Sequence, residues 1–118
     1  MFDLLGTVFG AFDHSLRPGI RETIDSLRES GYQVDFWTSG RVEHYEQLLR
    51  QAGIKGEIYK KSAELPRKPD VCIDDEPQDW MPGHLYKVEM HFSQDTPGPE
   101  ILVAEVLFVN EKANFFWD

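Results

Sequence analysis

Apolar positions recur along the chain in two alternating rhythms. Met1 to Leu5 is a short apolar start interrupted by Asp3. Ile20, Ile24 and Leu27 follow at helical spacing, after Pro18 as an opening residue and before Gly31 as a stop. Tyr32 to Trp37 reads as a strand ending at Thr38-Ser39-Gly40. A second helical stripe, Val42, Tyr45, Leu48, Leu49 and Ala52, closes at Gly53. Residues 56–59 give a weak short strand, and Leu65 to Pro69 a loop. Val71 to Asp75 is an apolar strand ending in two acids, with a helical turn predicted over Glu76 to Trp80. Leu85 to Phe92 alternates apolar and polar residues, as a strand does. The run ILVAEVLFV fits helix or buried strand; Pro99 and Glu100 before it favour helix.

Strands alternating with helices of this length predict an α/β fold, a three-layer sandwich around a central, mainly parallel sheet. With 118 residues, one domain spanning 1–118 is expected. The net charge of −9 disfavours nucleic acid and anionic membrane as partners and favours divalent cations where carboxylates converge. No apolar run approaches the roughly 20 residues that span a bilayer. The single cysteine, Cys72, excludes an internal disulfide, so a soluble, cytoplasmic protein is expected. The aromatic triplet Phe115-Phe116-Trp117 suits either a covered sheet edge or a contact in a homodimer.

Chemistry gathers at the predicted strand ends. Ligands of open α/β sheets bind at the carboxyl ends of the strands. Asp3, Thr38 with Ser39, and Asp74 with Asp75 would meet there, and Lys68 precedes the last of these strands. Such a set suits phosphoryl transfer. A carboxylate attacks phosphorus, Mg²⁺ held by carboxylates offsets the phosphate charge, and a hydroxyl and a lysine hold the remaining oxygens.

The motifs carry a resemblance. FDLLGTV resembles the first motif of the haloacid dehalogenase-like (HAD) superfamily, VDFWTSG its second, and RKPDVCIDDEP its third and fourth. LRPGI leading straight into a helix is similar to members without a sizeable cap. The resemblance implies a Rossmann-like HAD fold and a Mg²⁺-dependent phosphatase acting on a phosphorylated small molecule or phosphoprotein. It implies Asp3 as nucleophile and metal ligand, and Asp74 and Asp75 as further ligands beside the backbone carbonyl of Leu5. Thr7, Thr38 and Ser39 fall at phosphate-binding positions. Lys68 takes the charge-neutralising role, ahead of Lys60 and Lys61. Where family phosphatases carry a second Asp as acid and base, this chain has Leu5, which predicts weak turnover; Asp13 and His14, on the following loop, are the residues that can stand in. The same Leu5 leaves two other readings open, a degenerate phosphate- or Mg²⁺-binding interaction module and a dehalogenase-branch hydrolase.

Overall fold

In the computed structural model, the backbone is described for residues 1–117 and the side chains through Glu111. Eight elements follow in order: β1 (Phe2–Asp3), α1 (Ile20–Glu29), β2 (Phe36–Thr38), α2 (Val42–Gln51), β3 (Ile58–Lys60), β4 (Val71–Asp74), β5 (His84–Lys87) and α3 (Val103–Trp117). The strands form one sheet in the order β3-β2-β1-β4-β5, every pair parallel. The tail is therefore helix rather than strand. Its aromatic triplet has no described side chains, so the predicted edge or dimer contact lies outside the described residues.

Both glycine stops act as read. Gly31 (φ 93°) and Gly53 (φ 71°) take the left-handed conformation that L side chains resist. Gly31 N–H bonds Arg28 O while Tyr32 N–H reaches back to Leu27 O, and Gly53 and Ile54 repeat the pattern on Arg50 and Leu49. That double bond satisfies the last free helix carbonyls.

Two predicted strands are shorter than their sequence patterns. Strand β2 begins at Phe36, opposite Phe2, so residues 32–35 lie beyond the first residue of β1 and lack a ladder there. Strand β5 ends at Lys87, because the segment after it leaves the sheet and bonds to the loop between β1 and α1. Ala11 and Phe12 donate to His91 O and Phe92 O, and His91 N–H donates to Gly6 O. Glu76 to Trp80 forms turns rather than a helix.

Strand alternation divides the core. Phe2, Phe36, Val71 and Ile73 face a cluster shared by Ile24 and Leu27 of α1, Tyr45 and Leu49 of α2, and Val106 of α3. Trp37 and Cys72 face the other way, where Met81 and Leu65 from connecting loops cover them. Cys72 is thus a buried packing residue, its thiol pushed up to about 11 first by burial. The three helices bury side chains in the first cluster, and loops make the layer on the opposite face.

His91 is 1% exposed, although its alternating sequence context suggests the polar side of a strand. Its Nδ1 accepts from Gly98 N–H (3.1 Å), which leaves Nε2–H to donate to Ser15 O (3.1 Å). Only the neutral ring fits both bonds. Burial, then Arg17, holds its pKa below the ordinary value. The folded protein therefore binds fewer protons at this site than the unfolded chain. The stabilisation is present above the ordinary histidine value of about 6.5 and is lost as pH falls through it toward the lower folded value. Thermal melts from pH 7 to 5 should fall less steeply for His91→Gln than for wild type. The difference is at most about 1.4 kcal/mol per pH unit, the linkage of one proton. Parallel slopes would remove His91 as a contributor.

Candidate functional site

The strand order reverses direction between β1 and β4, so their carboxyl ends flank the crevice where such sheets bind ligands. Asp3 ends β1 and Asp74 ends β4, and they are 5% and 2% exposed. One carboxylate oxygen from each of Asp3, Asp74 and Asp75 lies within 4.8 Å of the others. Burial and the charge of Asp74 raise the pKa of Asp3, while Lys61 pulls it back. Three converging carboxylates offer the hard oxygen donors that Mg²⁺ takes. The donor set thus fits a divalent cation, in a chain whose overall charge is negative.

A lysine does reach the carboxylates, but it is Lys61. Its Nζ lies 2.9 Å from Asp3 Oδ1 and 3.0 Å from Asp74 Oδ2. Burial works to lower the Lys61 pKa, and the two ion pairs outweigh it and raise it. Strand β3 is two places from β1 in the sheet, and Lys61 Nζ lies over the Trp37 ring of the intervening β2, 5.9 Å from its centroid. Lys60 turns elsewhere, donating to Gly40 O at 2.8 Å.

The expectation for Lys68 is corrected by chain direction. Strand β4 runs from Val71 to Asp74, so Lys68 precedes its amino end. Six residues at roughly 3.3 Å each put about 20 Å of backbone between Lys68 and Asp74. Lys68 instead lines a cavity of about 430 Å³ with Met1, Gln33, Asp35 and Asp70, at the opposite end of the sheet from the carboxylates. None of the converging side chains lines that cavity.

The turn after β1 holds the remaining parts. Leu4 O accepts from Val8 and Phe9 N–H, at 3.0 and 2.9 Å, and folds residues 4–9 into a tight loop. Thr7 is fully buried, its hydroxyl 3.1 Å from Asp3 Oδ2 and 3.4 Å from Asp75 Oδ1 while accepting Asp75 N–H at 3.2 Å. It is thus a strut between the carboxylates. Leu5, two residues after Asp3, is 40% exposed. Thr38 is 3% exposed and its Oγ1 accepts Gly40 N–H at 2.9 Å, which turns Ser39 outward. Tyr45 borders Thr38: a Cβ built on Gly40 would lie 3.4 Å from Thr38 Oγ1 and 3.8 Å from the Tyr45 hydroxyl.

Beneath the turn lies a residue that the sequence reading left aside. Arg17 is 1% exposed. Its guanidinium donates to Thr7 O (2.5 Å), Gly6 O (3.1 Å), Glu89 O (2.5 Å) and Pro99 O (2.6 Å). An arginine between two loops carries no motif, so only the fold reveals it. Trp37 Nε1 is buried without a hydrogen-bond partner among the described residues, and nothing in the structure explains it.

Compared with known protein families, curated proteins and solved structures, the chain matches none. Among the described residues no helix is long and apolar enough to cross a membrane.

Proposed function

We propose that the chain is a capless HAD-type phosphohydrolase that uses Mg²⁺ and accepts the phosphoryl group on Asp3. One observation carries the proposal: Asp3, Asp74 and Asp75 converge at the switch point of a parallel sheet, with Lys61 bridging Asp3 and Asp74. A buried structural ion pair needs one carboxylate per lysine, and the third acid has no such reason to be there.

In this reading Asp3 attacks phosphorus and the ester oxygen departs. Asp3, Asp74 and Asp75 would hold Mg²⁺, which supplies charge neutralisation at the phosphate. Lys61 neutralises a phosphate oxygen and Thr38 donates to another, with Ser39 at the rim. Thr7 keeps the Asp3 and Asp75 carboxylates in register. Substrates are phosphorylated small molecules or phosphoproteins, because among the described residues no cap covers the site and the negative charge of the chain opposes nucleic acid.

The test is hydrolysis of p-nitrophenyl phosphate with Mg²⁺. Asp3→Asn should lower kcat/KM by at least about 10³-fold, since a nucleophile has no substitute. Equal rates for wild type and variant would rule the reading out for this substrate. A degenerate binding module is the reading that Leu5 favours. It predicts no turnover, with a melting temperature still raised by Mg²⁺ and beryllofluoride. The dehalogenase branch would need a covering cap, and the eleven positions from Thr7 to Arg17 hold only the tight turn and the loop that follows it.

A further inference from the structure

Resting on that phosphohydrolase reading, we propose that Trp80 is the residue that selects the substrate, and that the phosphate ester it selects carries a flat, uncharged aromatic ring. Trp80 is 57% exposed, whereas Trp37 is 1% exposed. A large apolar ring left in water beside a candidate site is a surface that a ligand can cover.

The placement of Trp80 follows from strand register. Asp3 is paired with Trp37 across the parallel β1–β2 ladder, so the two side chains leave the sheet on the same face, on strands about 4.8 Å apart. Asp74 lies two residues beyond Cys72 on β4 and shares that face. Trp37 is thus the floor directly beside the candidate nucleophile. The Lys61 ammonium that bridges Asp3 and Asp74 stands 5.9 Å from the centre of the Trp37 ring. The Trp80 ring stands 5.7 Å from that same centre, tilted by 54°. Trp80 is therefore no farther from the ammonium than those two distances laid end to end. Aromatic pairs meet at centroid separations of about 4.5–7 Å. An ester whose ring is joined to the phosphate directly, or through one carbon, spans that interval with its phosphate on Lys61.

The loop that carries Trp80 is fixed to the carboxylate cluster. At its start Asp75 N–H donates to Thr7 Oγ1 at 3.2 Å and Glu76 N–H to Asp74 Oδ1 at 2.9 Å. Met81, next to Trp80, is 5% exposed and packs with Trp37 and Cys72. Its N–H donates to Gln78 O at 3.0 Å, and the Cys72 thiol donates to Pro82 O at 3.1 Å. The chain is thus tied down on both sides of Trp80. A ring held in place before the ligand arrives adds contact area at a small ordering cost.

Two further observations narrow the choice. Phe12 and Phe92 are also exposed, but they stack on each other at 5.4 Å and so occupy one face each. Glu76 and Asp79 lie on the Trp80 loop and are both exposed. Their charges oppose a ring that bears a carboxylate or a second phosphate, which leaves the uncharged ring as the favoured partner.

The experiment measures binding rather than turnover, by calorimetry with Mg²⁺ present and three phosphonates, whose P–C bond hydrolysis does not break. Benzylphosphonate carries the ring, methylphosphonate lacks it, and cyclohexylmethylphosphonate has similar bulk without being flat. Wild type should bind benzylphosphonate about tenfold more tightly than methylphosphonate, the scale of one well-formed aromatic pair, with cyclohexylmethylphosphonate in between. Trp80→Leu should lose that preference and hold methylphosphonate within about twofold of wild type. Trp80→Phe should keep most of the preference. The wild-type comparison decides whether or not a variant folds. Benzylphosphonate bound by wild type no more tightly than either of the others overturns the role of Trp80 and leaves the phosphohydrolase reading standing. So does a Trp80→Leu protein that melts as wild type does and either keeps the preference or weakens both ligands equally. Wild type that binds no phosphonate more tightly than Lys61→Met does overturns both together.

Discussion

Replacing Arg17 with Met should remove about 3–5 kcal/mol of stability, the scale of breaking a buried charged network. The guanidinium is almost wholly enclosed and its partners are four backbone carbonyls, those of Gly6, Thr7, Glu89 and Pro99. Each acceptor left without a donor in a dry site loses roughly 1–3 kcal/mol, and the Met side chain recovers part of this by filling the volume. Domains of this size hold only about 5–15 kcal/mol in all. Burial lowers the Arg17 pKa, with Asp75 and Glu89 acting against it, so the charge is carried at a real desolvation cost. Urea denaturation measures the loss, and Arg17→Lys should recover only a minor share, because one ammonium cannot serve four carbonyls around a planar fork. A change below about 1 kcal/mol for Arg17→Met would show that the carbonyls find water instead. The same substitution reaches the site, since Gly6 and Thr7 belong to the turn that sets Thr7 between Asp3 and Asp75.

The alternation of strands and helices was legible because α1 and α2 bury one stripe each and stop at glycines that the backbone requires. The carboxylate pair was legible for a similar reason: two acids closing an apolar strand stand out against Val71, Cys72 and Ile73. Strand lengths were not, because a ladder needs a neighbour. Residues 32–35 have strand composition, yet β1 begins opposite Phe36. The lysine was misplaced for a different reason. Motif order along the chain suggested Lys68, but a residue before a parallel strand lies at the wrong edge, whereas one just after a strand lies at the right one. Thr38 pairs with Lys60, so position 61 leaves the sheet on the side where Asp3 ends. That rule needs only strand direction, and it would have favoured Lys61. The place of Arg17 depends on how loops pack, which no local pattern encodes.

The difference between the two lysines is large enough to measure. Lys61→Met should lower Mg²⁺-dependent hydrolysis of p-nitrophenyl phosphate by about 10²–10³-fold, the usual effect of losing one preorganised charge at a reacting phosphate. Lys68→Met should leave it within about twofold. A lysine supplying only general positive charge would act from either position at low salt, because at about 0.01 M ionic strength exposed charges are felt over about 30 Å. One acting by contact acts only from 2.9 and 3.0 Å, where Lys61 meets Asp3 and Asp74. Stability provides a readout that needs no substrate. Without Lys61 the converging carboxylates repel one another unopposed at neutral pH, so the metal-free melting temperature should fall. Mg²⁺ should then raise it further in Lys61→Met than in wild type, because the added cation meets a site with one positive charge fewer. Activity lost equally in Lys61→Met and Lys68→Met would sever the ion pairs from catalysis. A variant that Mg²⁺ stabilises no more than wild type would take the metal away from this cluster.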